Sequence, residues 1–256
     1  MDRYLSNMVS KRLTSISQTA TYEPFTPWLP AVGVDAVRAL LIARDMLGEF
    51  DWQFAMQTAA VDPARPDAWS ALGSAQTTAI PYCTGNTSVS GTLATKMWVR
   101  FGVKYMRHDA SPTYAQADLM VQPSLIARGS IVSTMPATTV SAISTTIYQT
   151  LWTTDWVPAE LVDKVRAGIW IGNITGTPSV QLVYQKAVAR TSLPGAWITL
   201  PGASVYTTVN DFNTGELPTS GTPFADSMWV RFGIQYKSST VGYDATIGAV
   251  VGIRRS

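Results

Sequence analysis

Few residues in this 256-residue chain have side chains that do chemistry, and their numbers exclude much. There is one cysteine, Cys83, and one histidine, His108. An intramolecular disulfide and a Cys/His zinc cage therefore cannot be built from this sequence. No G-x-S-x-G elbow, Walker lysine loop or dinucleotide fingerprint follows a candidate strand, so acyl transfer and nucleotide chemistry lack their usual signatures. His108 sits in the loop Arg107-His108-Asp109-Ala110-Ser111-Pro112, has no counterpart in the second half of the chain, and is expected to be a solvated loop histidine. Asp211-Phe212-Asn213-Thr214-Gly215-Glu216 faintly resembles a calcium loop, but it lacks the third acidic ligand and has no such run in the first half of the chain, and it reads better as a Thr-Gly turn. No catalytic residue, metal ligand or cofactor is expected.

What remains is a set of charges and aromatics that occur twice. Asp35/Asp163, Arg38/Arg166, Arg100/Arg231 and Asp118/Asp244 are matched pairs. Such charges either pair across strands within the fold or form a duplicated ligand site, with the Arg100 or Arg231 guanidinium stacked on Trp98 or Trp229. Trp28/Trp156 and Trp69/Trp197 also recur and read as structural. Trp98, Trp170 and Trp229 fall on strand faces expected to point outward. Together with Arg100 and Arg231 they are the candidate contact residues, for another protein subunit or for the rings of a sugar.

The matches belong to an internal repeat. Met97-Trp98-Val99-Arg100-Phe101-Gly102-Val103-Lys104-Tyr105 returns as Met228-Trp229-Val230-Arg231-Phe232-Gly233-Ile234-Gln235-Tyr236, each after a Ser-Gly-Thr. Upstream, Trp28-Leu29-Pro30-Ala31 matches Trp156-Val157-Pro158-Ala159. The register continues without a gap through Gln53/Gln181, Gln57/Gln185, Pro66/Pro194 and Trp69/Trp197, with about sixteen of forty-five positions identical. This predicts an arm at 1–17, a first repeat at 18–130, a polar linker at 131–147 and a second repeat at 148–256. Each repeat is of the length of one β-sandwich.

The repeat also decides between helix and strand. Val34 to Leu47 alone is compatible with an amphipathic helix. Its partner Val165-Arg166-Ala167-Gly168-Ile169-Trp170-Ile171-Gly172 alternates with period two and runs into the turn-like Asn173-Ile174-Thr175-Gly176, so both should be strands. In the repeated strand Met97, Val99, Phe101, Val103 and Tyr105 share the core face, and Trp98, Arg100, Gly102 and Lys104 the other. The 18 glycines and 15 prolines are spread as turn punctuation. The expected fold is all-β, a tandem duplication of an antiparallel β-sandwich, with the jelly roll as one candidate topology. In the arm, apolar residues at 5, 8, 9 and 13 fit a short docking helix.

With 46% hydrophobic and 14% charged residues the chain has the composition of a folded protein. A net charge of +2 gives no field that would draw it to nucleic acid or to anionic lipid. No apolar run approaches a membrane span, and the first residues lack a signal-peptide core, so synthesis and folding in a cytoplasm are expected. This duplicated, weakly charged sandwich pattern, including the Trp98–Gly102 and Trp229–Gly233 strands, resembles accessory virion proteins of tailed bacteriophages, such as capsid decoration proteins and tail or baseplate adaptors. The resemblance implies a non-enzymatic structural role in a virion, with other virion proteins and further copies of the chain as partners. It implies no nucleic-acid or membrane partner. A carbohydrate-binding module or adhesin using the outward tryptophans is the alternative from another class.

Overall fold

The computed structural model describes all residues except 1, 6–8, 15, 78–81, 109–115, 128–129, 142–146, 177, 189–193, 202, 219–226, 239–243 and 256. Strand dominates throughout. The chain divides into two compact units, unit 1 being Met1–Ala59, Pro63–Leu93 and Trp98–Arg128, and unit 2 being Ala60–Asp62, Ala94–Met97 and Gly129–Ser256.

The first-half strands are β1 (Asp2–Leu5), β2 (Val9–Leu13), β3 (Thr21–Pro24), β4 (Leu29–Pro30), β5 (Val34–Leu47), β6 (Phe50–Ala59), β7 (Ser70–Ala71), β8 (Tyr82–Cys83), β9 (Thr87–Ser88), β10 (Trp98–Arg107) and β11 (Gln116–Ala127), with a single helical turn α1 (Ser90–Leu93). The second half contains β12 (Ser130–Ser141), β13 (Gln149–Thr153), β14 (Val157–Pro158), β15 (Val162–Gly172), β16 (Pro178–Ala187), β17 (Ile198–Thr199), β18 (Asn210–Asn213), β19 (Leu217–Pro218), β20 (Trp229–Ser238) and β21 (Asp244–Arg255). All pairings are antiparallel. The sheet orders are β1-β11-β5-β8 and β3-β10-β6-β7 in unit 1, and β12-β21-β15-β18 and β13-β20-β16-β17 in unit 2. Short strands extend three of these positions: β2 continues β1 along β11, β4 and β14 continue β3 and β13, and β9 and β19 continue β8 and β18. Numbered by position within each half, both sandwiches then read 1-8-3-6 and 2-7-4-5. That is the double Greek key of an eight-strand jelly roll.

Each unit closes over its own core, drawn from both of its sheets. In unit 1 Leu41 and Leu119 of one sheet meet Phe54 and Phe101 of the other. In unit 2 Ile169, Ile171 and Ile247 meet Leu182, Phe232 and Ile234. The period-two expectation for the repeated strand holds: Met97, Val99, Phe101 and Val103 are fully buried, while Trp98, Arg100 and Lys104 on the other face are half-buried. Val34–Leu47 and Val162–Gly172 are both strands, as the comparison of the halves required. The turn at Asn173–Gly176 has the expected left-handed residues, with φ 47° at Asn173 and 91° at Gly176.

The arm is not helical. Its residues form β1 and β2 and pair with β11, Asp2 opposite Ala127 and Arg12 opposite Asp118. Apolar residues at 5, 9 and 13 also satisfy a strand, and the free edge of β11 supplies backbone partners that an isolated helix of this length would lack. The stretch expected as a polar linker is in large part strand too: β12 pairs with β21, Ile131 opposite Ile253 and Ser141 opposite Asp244. Asp118 and Asp244 match in the repeat. Asp2–Leu5 and Val9–Arg12 therefore hold the same place at the edge of their sheet as Ile131–Thr134 and Thr138–Ser141 do in theirs, at a constant separation of 129 positions. The register along β11 shifts by one residue between the Leu5–Ser124 and Val9–Val121 pairs, as that along β21 does between Met135 and Thr138.

Candidate functional site

The repeated surface group is built on the 2-7-4-5 sheet of each unit. In unit 1 β10 places Arg100 outward, opposite Gln57 on β6. The Gln57 Oε1 accepts from Arg100 Nε at 2.8 Å and from Nη2 at 2.6 Å. Its Nε2 donates to the Asp67 carbonyl at 2.7 Å, which fixes the amide with its oxygen toward the arginine. Two indoles cover the guanidinium, Trp28 at 4.6 Å and Trp69 at 5.4 Å from Cζ to ring centroid. Each such contact contributes about 0.5–2 kcal/mol depending on desolvation.

Unit 2 repeats this with different loops. Arg231 on β20 faces Gln185 on β16, and Gln185 Oε1 accepts from Arg231 Nε at 2.8 Å. Gln185 Nε2 donates to the Gly195 carbonyl at 2.6 Å. Trp156 and Trp197 lie 4.7 and 5.2 Å from the Arg231 Cζ.

The loops carrying the second indole are anchored alike, Asp67 N to the Thr58 carbonyl at 2.8 Å and Gly195 N to the Lys186 carbonyl at 3.0 Å. The first indole follows a tied corner in both halves: Thr26 Oγ1 accepts from Phe101 N at 2.9 Å, and Thr154 Oγ1 from Phe232 N at 3.1 Å.

A glycine lets the second indole lie down on the strand. A Cβ at Gly102 would meet Trp69 at 2.8 Å and the Glu23 carbonyl at 2.3 Å, and one at Gly233 would meet the Trp152 carbonyl at 2.9 Å and Trp197 at 3.0 Å. Trp69 also stacks on Tyr22 at 5.7 Å with 11° between planes. In unit 2 a cation–π contact lies further along, Lys237 over Tyr148 at 4.4 Å.

The guanidinium groups thus stack on the tryptophans read as structural, and not on Trp98 and Trp229. Those two share the outer face of β10 and β20 with their arginines, at the strand starts, and are half-buried. Trp170 belongs to the opposite sheet of unit 2. Its indole lies against Gly172 and Gly248, within 2.8 and 3.4 Å of where a Cβ would stand at each. The five candidate residues are therefore not one site. Arg100 and Arg231 each form the centre of a ladder, and Trp170 stands apart. The residues missed were Trp28, Trp69, Trp156, Trp197, Gln57 and Gln185, all already visible as matched pairs.

The remaining charges pair within the sheets. In unit 2 Glu216 accepts from Lys164 Nζ and Arg166 Nη2, both at 2.8 Å, and Arg254 gives Asp163 two bonds at 3.0 and 2.8 Å. Burial pushes the Glu216 carboxyl up, but the Lys164 hydrogen bond and the charges of Arg166, Lys164 and Arg254 outweigh it and hold it below the usual carboxylate range. Arg12 lies 3.6 Å from Asp118, and Lys11 pairs with Glu23.

His108 is not merely solvated, its Nε2 lying 2.7 Å from Asp51 Oδ1. Asp51 also lines a small cavity of about 50 Å³ with Trp52, Gln53, Ala75, Lys104, Tyr105 and Met106. That is room for a water or two.

The Asp211–Glu216 run ends in a Thr214-Gly215 turn with φ 67° at Gly215. It has a counterpart after all: Thr84 and Thr214 each accept through Oγ1 from a strand amide, Ala39 N at 2.9 Å and Ala167 N at 3.0 Å, and each precedes a left-handed glycine. Among the described residues no three His, Cys, Asp or Glu side chains gather as a metal site, and no helix is long and apolar enough to cross a membrane.

No family model and no curated protein matches the chain. Solved structures similar to it include the VP2 subviral particle of infectious bursal disease virus, at 6% identity and TM-score 0.40, covering 99% of this chain and 41% of the viral one. The chain thus spans about two-fifths of the length of that protein. Others are the PBSX exported protein XepA, at 10% identity and TM-score 0.30 over 95% of this chain and 86% of that one, and PNGase F, a glycosylasparaginase from Flavobacterium meningosepticum, at 9% identity and TM-score 0.28 over 97% and 96%. Likenesses of this size, spread over a viral particle, an exported protein and an enzyme, assign no activity.

Proposed function

We propose that this chain is a non-enzymatic structural protein of a large assembly, most concretely a capsid decoration or other accessory protein of a phage virion. The observation that carries this reading is that one surface ladder of two tryptophans, an arginine and a glutamine is built twice, at the same strand positions of two jelly rolls. A chain presenting one patch twice suits a partner that itself repeats, such as the subunits of a shell. Linkage then raises the effective concentration of the second contact to about millimolar for a short tether. Its partners are other virion proteins and further copies of the chain, and its place is the virion.

The chain arose by tandem duplication, and its repeats run from 1 to 129 and from 130 to 256. The arm and the supposed linker are then the first strands of the two copies. This division is supported by the constant separation of 129 positions between β1–β2 and β12 along matched neighbours.

The test is sedimentation of lysate from the native source, with mass spectrometry for this chain in the megadalton fraction and in the soluble pool. The expected result is a fixed stoichiometry with a capsid or tail protein. Recovery only as a small soluble species overturns the reading.

A further inference from the structure

We propose that Arg100 and Arg231 are two equivalent carboxylate-binding sites, each taking an Asp or Glu side chain of a partner protein. The proposal rests on the structural reading above and names the chemistry by which the repeated ladder would hold its partner. A guanidinium has five N–H donors. Arg100 directs two of them, one on Nε and one on Nη2, to Gln57 Oε1, and Arg231 directs its Nε–H to Gln185 Oε1. The other donors have no acceptor among the described residues, and neither arginine has an acid partner there. Arg166, Arg254 and Lys164 differ, since each has a carboxylate within 2.8 Å.

The two cations are held as a binding site requires. Two indoles lie against each guanidinium, within 4.6–5.4 Å of its Cζ, and hold it in place. Arginine's planar fork matches a carboxylate through two parallel hydrogen bonds. A carboxylate lies in the plane of that fork, whereas a tetrahedral phosphate cannot bring all its oxygens into the plane. The glutamine, itself tied by Nε2 to a loop carbonyl, leaves the arginine little rotamer freedom to lose on binding. Arg and Trp together in one half-buried group are also the residue types that dominate protein contacts. The same clamp occurs in both halves although the loops that supply the second indole differ in sequence around Trp69 and Trp197.

The experiment is a titration of the full ¹⁵N-labelled chain with a hexaglutamate peptide, following the arginine Nε–H resonances assigned to Arg100 and Arg231. Hexaglutamine and inorganic phosphate serve as comparison probes. The expected result is a saturable shift of both resonances by hexaglutamate at millimolar concentration or below. Hexaglutamine should give no shift, and phosphate less than a tenth of the shift at equal concentration. The R100K/R231K double variant keeps the charge and the stack but loses the fork, and should bind hexaglutamate at least tenfold more weakly as read by tryptophan fluorescence. The proposal is overturned if hexaglutamate shifts neither resonance, if phosphate or hexaglutamine acts equally, or if a folded double variant binds as the wild type does. The wild-type spectra decide the question even if the variant fails to fold. Co-sedimentation with a particle is read separately, so loss of this proposal leaves the virion reading standing or falling by its own test.

Discussion

Arg166 Nη2 donates to Glu216 Oε1 at 2.8 Å, and the arginine side chain is 2% exposed while the glutamate is 24% exposed. A cation this enclosed depends on its carboxylate. Removing the partner of a buried charge is far more costly than the pair itself is stabilising. Glu216→Ala should therefore destabilise unit 2 by roughly 3 kcal/mol, and Glu216→Gln, which keeps the acceptor, by about half as much. Urea unfolding of both variants measures this. Equal and small losses would show that Glu216 does not compensate Arg166.

The same pair sets an acid limb. The Glu216 carboxyl is depressed in the folded chain, so its contribution is fully present above the ordinary value of 4.5 and is lost as pH falls through the lower folded value. Below pH 4.5 the melting temperature should fall, and Glu216→Gln should flatten that part of the profile while leaving the shape between pH 5 and 7 unchanged. A thermal scan at half-unit steps checks it.

Gly102 and Gly233 are matched in sequence but not equally crowded. A Cβ at Gly102 would stand 2.3 Å from the Glu23 carbonyl, an atom of paired backbone, while the nearest atom at Gly233 is at 2.9 Å. Gly102→Ala should cost about 2–3 kcal/mol and Gly233→Ala about 1 kcal/mol, within the usual range for overpacking. Melting temperatures of the two variants should rank in that order, each with a change in tryptophan emission as Trp69 or Trp197 is lifted.

Much of this was legible in the sequence, for identifiable reasons. The long strands announce themselves by period two, and comparison with the glycine-broken Val165–Gly172 removes the helix ambiguity of Val34–Leu47. The two-residue strands β4, β7, β8 and β9 have no period to read. The arm was misjudged because apolar residues at 5, 9 and 13 satisfy two periods at once, and only the edge of β11 decides between them. The ladders were half seen. Matched Arg, Trp and Gln positions are all in view, but the ligand-site alternative stacks the arginine on the tryptophan two residues away. Strand geometry does place Trp98 on the same face as Arg100, yet the rings that stack come from 72 and 31 positions away, brought in by a tied corner and by a loop anchored at Asp67. Sequence distance hides such contacts, and the recurrence of the Trp pairs was the signal that could have found them.

Met97 and Met228 begin the same repeated strand, but Met97 is fully buried and Met228 is 64% exposed. Met97→Lys should place an unpaired charge in a closed site and cost 3 kcal/mol or more, roughly. Met228→Lys should change stability by less than about 0.5 kcal/mol. Peroxide oxidation followed by peptide mass spectrometry gives a second readout, with Met228 converted to the sulfoxide well before Met97.

The strands of the arm give the last prediction. β1 and β2 cover one side of β11, whose other side is paired with β5. Leu13 and Ile16 are buried in unit 1. Deleting residues 2–13 would strip β11 of these partners and leave a long edge with free amides and carbonyls, a template for pairing with another chain. The truncated chain should lose stability and associate in a concentration-dependent way by analytical ultracentrifugation, where the full chain does not show this edge-driven association. A dispensable arm would instead leave sedimentation and melting unchanged. Adding a synthetic peptide of residues 1–14 should suppress the association, because it restores the pairing of Arg12 with Asp118 and of Asp2 with Ala127 that closes the sheet.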